Sequence, residues 1–394
     1  MIRKRSVWVL TIVAISSCLA AGADPAVSAY QAWANGPSKD AGFFPIAVWL
    51  QSPQNAARYK QAGINTFVGL WEGPTEAQLT QLAAAGMKLI CEQNEVALKN
   101  LENPVIIGWM HGDEPDNAQS LGEGKGYGPP VLSESIVKDY LRIRAADPTR
   151  PVMLNLGQGV AWDGWYGRGI RTNHPEDYPG YIEGSDIVSF DIYPACHDNP
   201  QVAGKLWYVA NGVDRLVKWS AGKKIVWDCI ECTRIGNDKT KATPLQVKAE
   251  VWMSIIHGSR GLIYFVHEWK PKFNEAALLS DPEMLKGVTE VNQQIHRLAA
   301  VLNGRPSEEK VTVATQPSEI PVAILARQSK DALFIFAVNM RGSPVQASFT
   351  STGIPKEAKV EVVDESRSIP SADGSWKDDF AEWGVHIYRI ASSL

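Results

Sequence analysis

The sequence predicts an α/β chain in which a (β/α)8 barrel of the TIM type is followed by a small C-terminal antiparallel β-sandwich. Three observations carry that expectation. Eight short, nearly continuous apolar runs recur between positions 44 and 269, amphipathic segments lie between them, and beyond Arg305 the chain turns to short strands with no helix among them. Runs that are apolar at almost every position suit parallel strands buried on both faces. An open doubly wound sheet would carry Gly-x-Gly-x-x-Gly after its first strand, and none is present.

At the start, Arg3, Lys4 and Arg5 precede an apolar run from Val7 to Ile15 and then the small residues of "LAAGADPA". That order predicts a secretory signal peptide over 1–23, cleaved after Ala23. Its apolar run is too short for an ordinary transmembrane helix, so no transmembrane segment is expected in the mature chain. "ISSC" also resembles a bacterial lipobox, which would leave Cys18 as a lipidated first residue. Either route predicts a secreted or periplasmic protein. Residues 24–43 are a lead-in.

The barrel is expected over 44–304. Its strand runs are "FPIAVWLQ" (44–51), "INTFVGLWEG" (64–73), "MKLICEQN" (87–94), "VIIGWMHGDEP" (105–115), "PVMLNLGQG" (151–159), "DIVSFDIYP" (186–194), "KKIVWDCIECT" (223–233) and "GLIYFVHEW" (261–269). Gly63, Gly86, Gly222 and Gly261 stand at or just before four of the starts, where a helix must end. "TEAQLTQLAAAG" and "SESIVKDYLRIRAADP" space their apolar residues for helices, and "LLSDPEMLKGVTEVNQQIHRLAAVLNG" predicts the eighth. The sandwich, over 305–394, is expected from "VTVAT", "VAILARQ", "ALFIFAVN", "VQASFT", "AKVEVVDE" and "HIYRI", with Gly, Pro, Ser and Asp between them.

The chain has 394 residues, 45% hydrophobic and 21% charged, with a formal net charge of -4. That is apolar surface enough for one large core and a smaller one, with no basic footprint for nucleic acid. Five cysteines are present, and the four after the signal, Cys91, Cys196, Cys229 and Cys232, are too few for a disulfide scaffold, though one bridge would suit an oxidising compartment. "CIEC" closes an apolar run and is expected to pack rather than to perform redox chemistry. No second Cys or His pair follows at zinc spacing.

Barrel chemistry gathers at the C-terminal ends of the strands, where loops converge over a packed interior. Those ends carry Trp49 and Gln51, Trp71 and Glu72, Glu92, Gln93 and Asn94, Asp113 and Glu114, Asn155 and Gln158, Asp191 and Tyr193, Glu231, and His267, Glu268 and Trp269. One polar strand end only shows that a strand meets water; eight that converge on carboxylates, amides and indoles predict a binding site. Aromatic faces stack on a sugar ring while carboxylates and amides take its hydroxyls, so a carbohydrate is the expected partner. The loop after the fifth strand adds Trp162, Trp165, Tyr166, Tyr178 and Tyr181, which either line a saccharide groove or fold the loop around itself. Glycosidic cleavage needs two carboxyl groups, and Glu114 and Glu231 end strands that lie across the mouth from each other.

Eight strand–helix units, a Glu in "GDEP" after strand four, a Glu in "VWDCIEC" after strand seven, a Tyr in "SFDIYP" and a Trp in "FVHEW" together resemble the clan A glycoside hydrolases over about residues 44–304. The resemblance implies a retaining hydrolase that cleaves β-linked oligo- or polysaccharides by double displacement. It makes Glu114 the acid/base and Glu231 the nucleophile, with Tyr193 bonded to the nucleophile and Trp269 under the reacting sugar. It also implies no cofactor. Trp49, Trp71, Glu92, Asp113, Asn155, His267 and Glu268 complete the expected sugar-binding set, and Glu268 competes with Glu231 for the second catalytic post. The clan has Asn where this chain has Asp113, whose charge should raise the pKa of Glu114. A metal-dependent barrel would need His-x-His on its first strand, which "FPIAVWLQ" lacks. The rival reading is a non-catalytic carbohydrate-binding barrel.

Overall fold

A computed structural model describes residues 28–392. The expected signal peptide and Cys18 lie outside the described residues. One parallel sheet carries β1 (Ile46–Trp49), β2 (Thr66–Val68), β3 (Lys88–Cys91), β4 (Ile106–Met110), β5 (Val152–Leu156), β6 (Ile187–Phe190), β7 (Ile225–Val226), β8 (Asp228–Glu231) and β9 (Leu262–Phe265). β7 and β8 are two halves of the seventh barrel strand, parted at Trp227. β7 pairs with β6, β8 with β9, and β9 with β1, so the sheet closes on itself. The fold is thus a (β/α)8 barrel with an antiparallel β domain after it.

At Trp227 the strand passes from one neighbour to the other: the Trp227 N–H donates to the Val188 carbonyl at 2.9 Å, and the Asp228 N–H to the Gly261 carbonyl at 3.2 Å. The Trp227 side chain packs into the barrel. Its indole lies where a Cβ on Gly261 would stand, 2.4 Å away, and its Nε1–H donates to the Tyr30 hydroxyl at 2.9 Å. Tyr30 donates in turn to the Arg260 carbonyl at 3.0 Å, so the lead-in segment plugs the N-terminal end of the barrel. Above that plug, Ala47, Val68, Ile90, Ile107, Met153, Ile187, Cys229 and Ile263 fill the interior. They pack as layers of side chains rather than line a pore, and leave only the C-terminal mouth to bind anything.

The helices coat the outside: α1 (Ala56–Gln61), α2 (Glu76–Ala85), α3 (Glu95–Lys99), α4 (Ser133–Ala146), α5 (Tyr178–Glu183), α6 (Trp207–Trp219), α7 (Pro244–His257) and α8 (Pro282–Leu302). Sequence signals account for their ends. Thr75 and Thr243 open α2 and α7 with full capping boxes to Gln78 and Gln246, and Gly86 ends α2 at φ 64, a conformation costly for any residue with a Cβ. Among the described residues no helix is long and apolar enough to cross a membrane.

Beyond the barrel, β10 (Arg305–Pro306), β12 (Val322–Gln328), β13 (Ala332–Asn339), β18 (Val385–Ala391), β15 (Lys359–Val362) and β16 (Arg367–Pro370) form one antiparallel sheet. A second holds β11 (Val311–Gln316), β14 (Val345–Ser351) and β17 (Ser375–Phe380). β17 escaped the sequence reading because "SWKDDF" places three charges in six residues; Trp376 and Phe380 alone face the core. The domain is welded to the barrel by Trp252 of α7, buried and stacked on Phe336 at 5.4 Å, and by Arg341 over the Trp207 ring at 4.0 Å.

Candidate active site

β4 ends at Met110, and its chain runs over the mouth through Asp113, Glu114 and Pro115. Glu114 has a φ of 44, the left-handed region, which costs a non-glycine residue about 1–2 kcal/mol. Its backbone is clasped on both sides: its N–H donates to the Asn155 carbonyl at 3.2 Å, and its own carbonyl accepts from the Asn117 N–H at 3.1 Å and the Gln119 amide at 3.2 Å. Asp116 anchors the turn from below. It is fully buried, accepts from the Gly157 N–H at 2.9 Å and the Tyr178 hydroxyl at 3.0 Å, and faces Arg168. The strain at Glu114 is held in place by these contacts, a pattern common where a side chain must be aimed.

Three carboxylates meet at this mouth: Asp113, Glu114 and Asp191. The Asn155 amide nitrogen donates to Asp113 Oδ1 at 2.9 Å and to Asp191 Oδ1 at 2.8 Å. Ser189 donates to the Asn155 oxygen at 2.7 Å, which fixes the amide orientation. Two oxygens on one planar NH2 group lie about 5 Å apart when each takes one hydrogen. Tyr193 donates to Asp191 Oδ2 at 2.6 Å, and Asn117 donates to Glu114 Oε2 at 2.7 Å.

Desolvation raises all three acids, and the charge of Asp191 raises Asp113 and Glu114 further. Asp113 is exposed, yet desolvation by the protein around it, and then the charge of Asp191, push its pKa up to about 7. Glu114 is held well above the usual carboxylate range by burial first, then by Asp191 and Asp113. The expected influence of Asp113 on Glu114 is present, and Asp191 outweighs it. Asp191 is also raised by burial, but the Tyr193 and Asn155 donors pull it back. Of the three, Asp191 has the donors that most favour its anion, and its charge favours the protonated forms of Asp113 and Glu114.

Glu231 does not join them. It is fully buried, and both oxygens are taken by backbone N–H groups of the loop after β6, Ala195 at 2.5 Å and Cys196 at 2.8 Å. Cys196 lines the cleft and Glu231 lies behind it, beside Glu250 of α7. The expected opposition of Glu114 and Glu231 across one cavity is thus corrected. Tyr193 likewise bonds Asp191 rather than Glu231.

Two clefts flank the carboxylates. One, of about 340 Å³, is lined by Trp49, Glu72, Glu92, Asn94 and Asp113 among others. The second, of about 230 Å³, is lined by Gln158, Trp165, Tyr166, Tyr193, His197 and Asn237 among others. Trp71 and Trp269 are 43% and 50% exposed. His267 supports them: its ring meets Trp71 edge-on at 5.9 Å and stacks on Trp269 at 5.9 Å. His267 itself is buried, donates to the Leu50 carbonyl at 3.2 Å, and is held neutral by burial at a pKa of about 4, so it props indoles instead of touching a ligand. Glu268 faces Arg234 at 3.4 Å and lines neither cleft. Of the loop aromatics, Trp162, Tyr178 and Tyr181 are core, while Tyr166 is exposed and Trp165 half-buried.

Sequence reasoning placed Asp191 at the sixth strand end without giving it a role, and missed Asn117. The signal for Asp191 was its spacing to Tyr193: two residues apart beyond a strand, both side chains take the same face. Nothing in the sequence marked Asn117. The cysteines Cys91, Cys196, Cys229 and Cys232 are all buried and free, so among the described residues no bridge forms.

No protein-family model matches this chain, and no curated protein does either. Solved structures do resemble it. An alpha-amylase from Geobacillus thermoleovorans complexed with acarbose superposes with a TM-score of 0.54 at 10% identity, over 91% of this chain and 100% of that one. A GH42 beta-galactosidase from G. stearothermophilus gives 0.53 at 8% identity, over 89% and 98%. A putative alpha-galactosidase from Bacteroides fragilis gives 0.50 at 11% identity, over 90% and 80%. At such identities the likeness is one of fold: a barrel with a C-terminal β domain.

Proposed function

We propose that the protein is a glycoside hydrolase acting on oligo- or polysaccharides with retention of configuration, Asp191 serving as nucleophile and Glu114 as acid and then base. The observation that carries this reading is the shared mouth. Asp191 receives the donors that favour its anion, while beside it Glu114 keeps a proton because of burial and the Asp191 charge. Double displacement needs that division between two carboxyls on one bond. With Oε2 held by Asn117, the other oxygen of Glu114 carries the proton toward the leaving oxygen. Asp191 attacks the anomeric carbon, the leaving sugar departs with the Glu114 proton, and Glu114 then deprotonates the water that releases the glycosyl ester. Asp113, tied to Asn155, is left to accept from a sugar hydroxyl. Trp49, Glu92, Trp71 and Trp269 complete the walls. Export from the cytoplasm, proposed on the N-terminal sequence, would bring the enzyme to extracellular polysaccharide.

Selectivity for β-linkages rests on the sequence resemblance alone, and matched α- and β-aryl glycosides decide it. The assignment of roles is tested with Asp191→Asn, Glu114→Gln and Asp113→Asn and added azide. Azide should give an inverted glycosyl azide with Asp191→Asn and a retained one with Glu114→Gln. Full turnover by Asp191→Asn would remove the proposed nucleophile. Binding of sugars without turnover of any glycoside would favour the non-catalytic reading.

A further inference from the structure

We infer that the cleft walled by Trp165 and Tyr166 is a subsite for an uncharged sugar unit, so that the ligand is a neutral polysaccharide extending past the carboxylates. The inference deepens the proposed function and rests on it only for the place of the cleft beside the reacting bond.

The wall comes first. Trp165 and Tyr166 lie with ring centroids 4.7 Å apart, and Tyr166 is 66% exposed, so its ring is open to a ligand. Ring faces are electron-rich and attract the C–H face of a sugar. The same lining carries polar groups with defined directions. Asn199 donates its N–H to His197 Nδ1 at 2.9 Å, so the His197 Nε2–H must donate to the Gln158 carbonyl oxygen, 2.9 Å away. The Gln158 NH2 is left to donate into the cleft, with Asp198, also on the lining, as an acceptor. Donor and acceptor beside two aromatic rings tilted 48° to each other match hydroxyls on a sugar ring.

Charge narrows the class. Neither cleft has Lys or Arg in its lining; the acids there are Asp198 in this cleft and Glu72, Glu92 and Asp113 in its neighbour. A uronate or sulfated sugar would meet Asp198 there with no cation on the lining to pair it.

Continuity ties the cleft to the reaction. Trp165 Nε1–H donates to Asn117 Oδ1 at 2.9 Å, and this contact forces the Asn117 NH2 toward Glu114 Oε2. A sugar seated on Trp165 therefore presses on the residue that positions the acid.

The test is affinity electrophoresis in gels carrying soluble starch, xylan, mixed-linkage β-glucan or galactan, against gels with alginate or polygalacturonate. The unaltered chain should be retarded by at least one neutral polymer and by neither anionic one. Tyr166→Ala should weaken that binding about tenfold, the scale of one aromatic contact, with its melting temperature unchanged. Tyr166→Phe, which keeps the ring, should bind as the unaltered chain does, as should Leu141→Ala on the outer face of α4. Undiminished binding by Tyr166→Ala, retardation by the anionic polymers, or retardation by none of the gels would each overturn the subsite. Turnover of a simple glycoside in that last case would leave the hydrolase standing, while retardation without any turnover would sink the hydrolase and keep the subsite.

Discussion

Behind the mouth, three acids sit where no water reaches: Asp228 and Glu231 of β8 and Glu250 of α7 are all fully buried. Glu250 faces the carboxyl of Glu231, and Asp228 faces the Ser254 hydroxyl. Burial pushes Glu231 from 4.5 up to about 7 and holds Glu250 and Asp228 well above their ordinary values, with the Glu231 charge adding to the shift at Glu250. The sign follows from which state keeps the proton. Each folded-state pKa exceeds the unfolded one, so the native protein retains protons that the unfolded chain has released, and stability falls as pH rises from the ordinary carboxylate range through the folded values. For Glu231 alone the rise to about 7 corresponds to a loss on the order of 3 kcal/mol between acid and mildly alkaline pH. Glu250→Gln removes one ionisation and offers an amide to Glu231. The variant should therefore melt higher than the unaltered protein at pH 8 and be nearly equal at pH 5, against the usual destabilisation by core substitutions. Calorimetry between pH 5 and 8.5 reads both slopes. A flat profile for the unaltered chain, or a lower melting temperature of Glu250→Gln at pH 8, would refute the reasoning.

Tyr193→Phe deletes the 2.6 Å donor to Asp191, a charge-assisted bond worth about 1.5–3 kcal/mol, so kcat/KM should fall roughly 10- to 150-fold. Because that donor lowers the Asp191 pKa, its loss should move the acid limb of the pH–rate profile to higher pH; an unmoved limb would detach Tyr193 from the nucleophile. Trp165→Phe keeps a ring but drops the N–H that orients Asn117, so the alkaline limb set by Glu114 should change while folding does not; identical profiles count against the relay. Trp252→Ala empties the stack on Phe336 between barrel and β domain and should cost about 3–5 kcal/mol in denaturant unfolding; a cost under 1 kcal/mol would mean that the two units hardly support each other.

The sequence by itself determined the architecture. Strand runs apolar on both faces cannot form a sheet with a wet side, and alternating helical patterns leave a closed parallel barrel as the economical burial; the change of texture at Arg305 marks where that logic stops. It also placed Asp113, Asn155, Tyr193, Trp49 and Glu92 at the right end of the barrel, since polarity at a strand terminus is a local property. Which acids share the mouth was decided only by tertiary structure. A strand's last residue can turn inward, outward or under a neighbouring loop, and that choice is made by contacts distant in sequence: residues 195 and 196 fold over Glu231 and take both its oxygens. Meanwhile Asn155 and Tyr193 draw Asp191 into the centre. Two glutamates alike in sequence thereby receive opposite roles, one at the surface of a cavity and one inside its wall, because hydrogen bonding and desolvation depend on partners that no local pattern records.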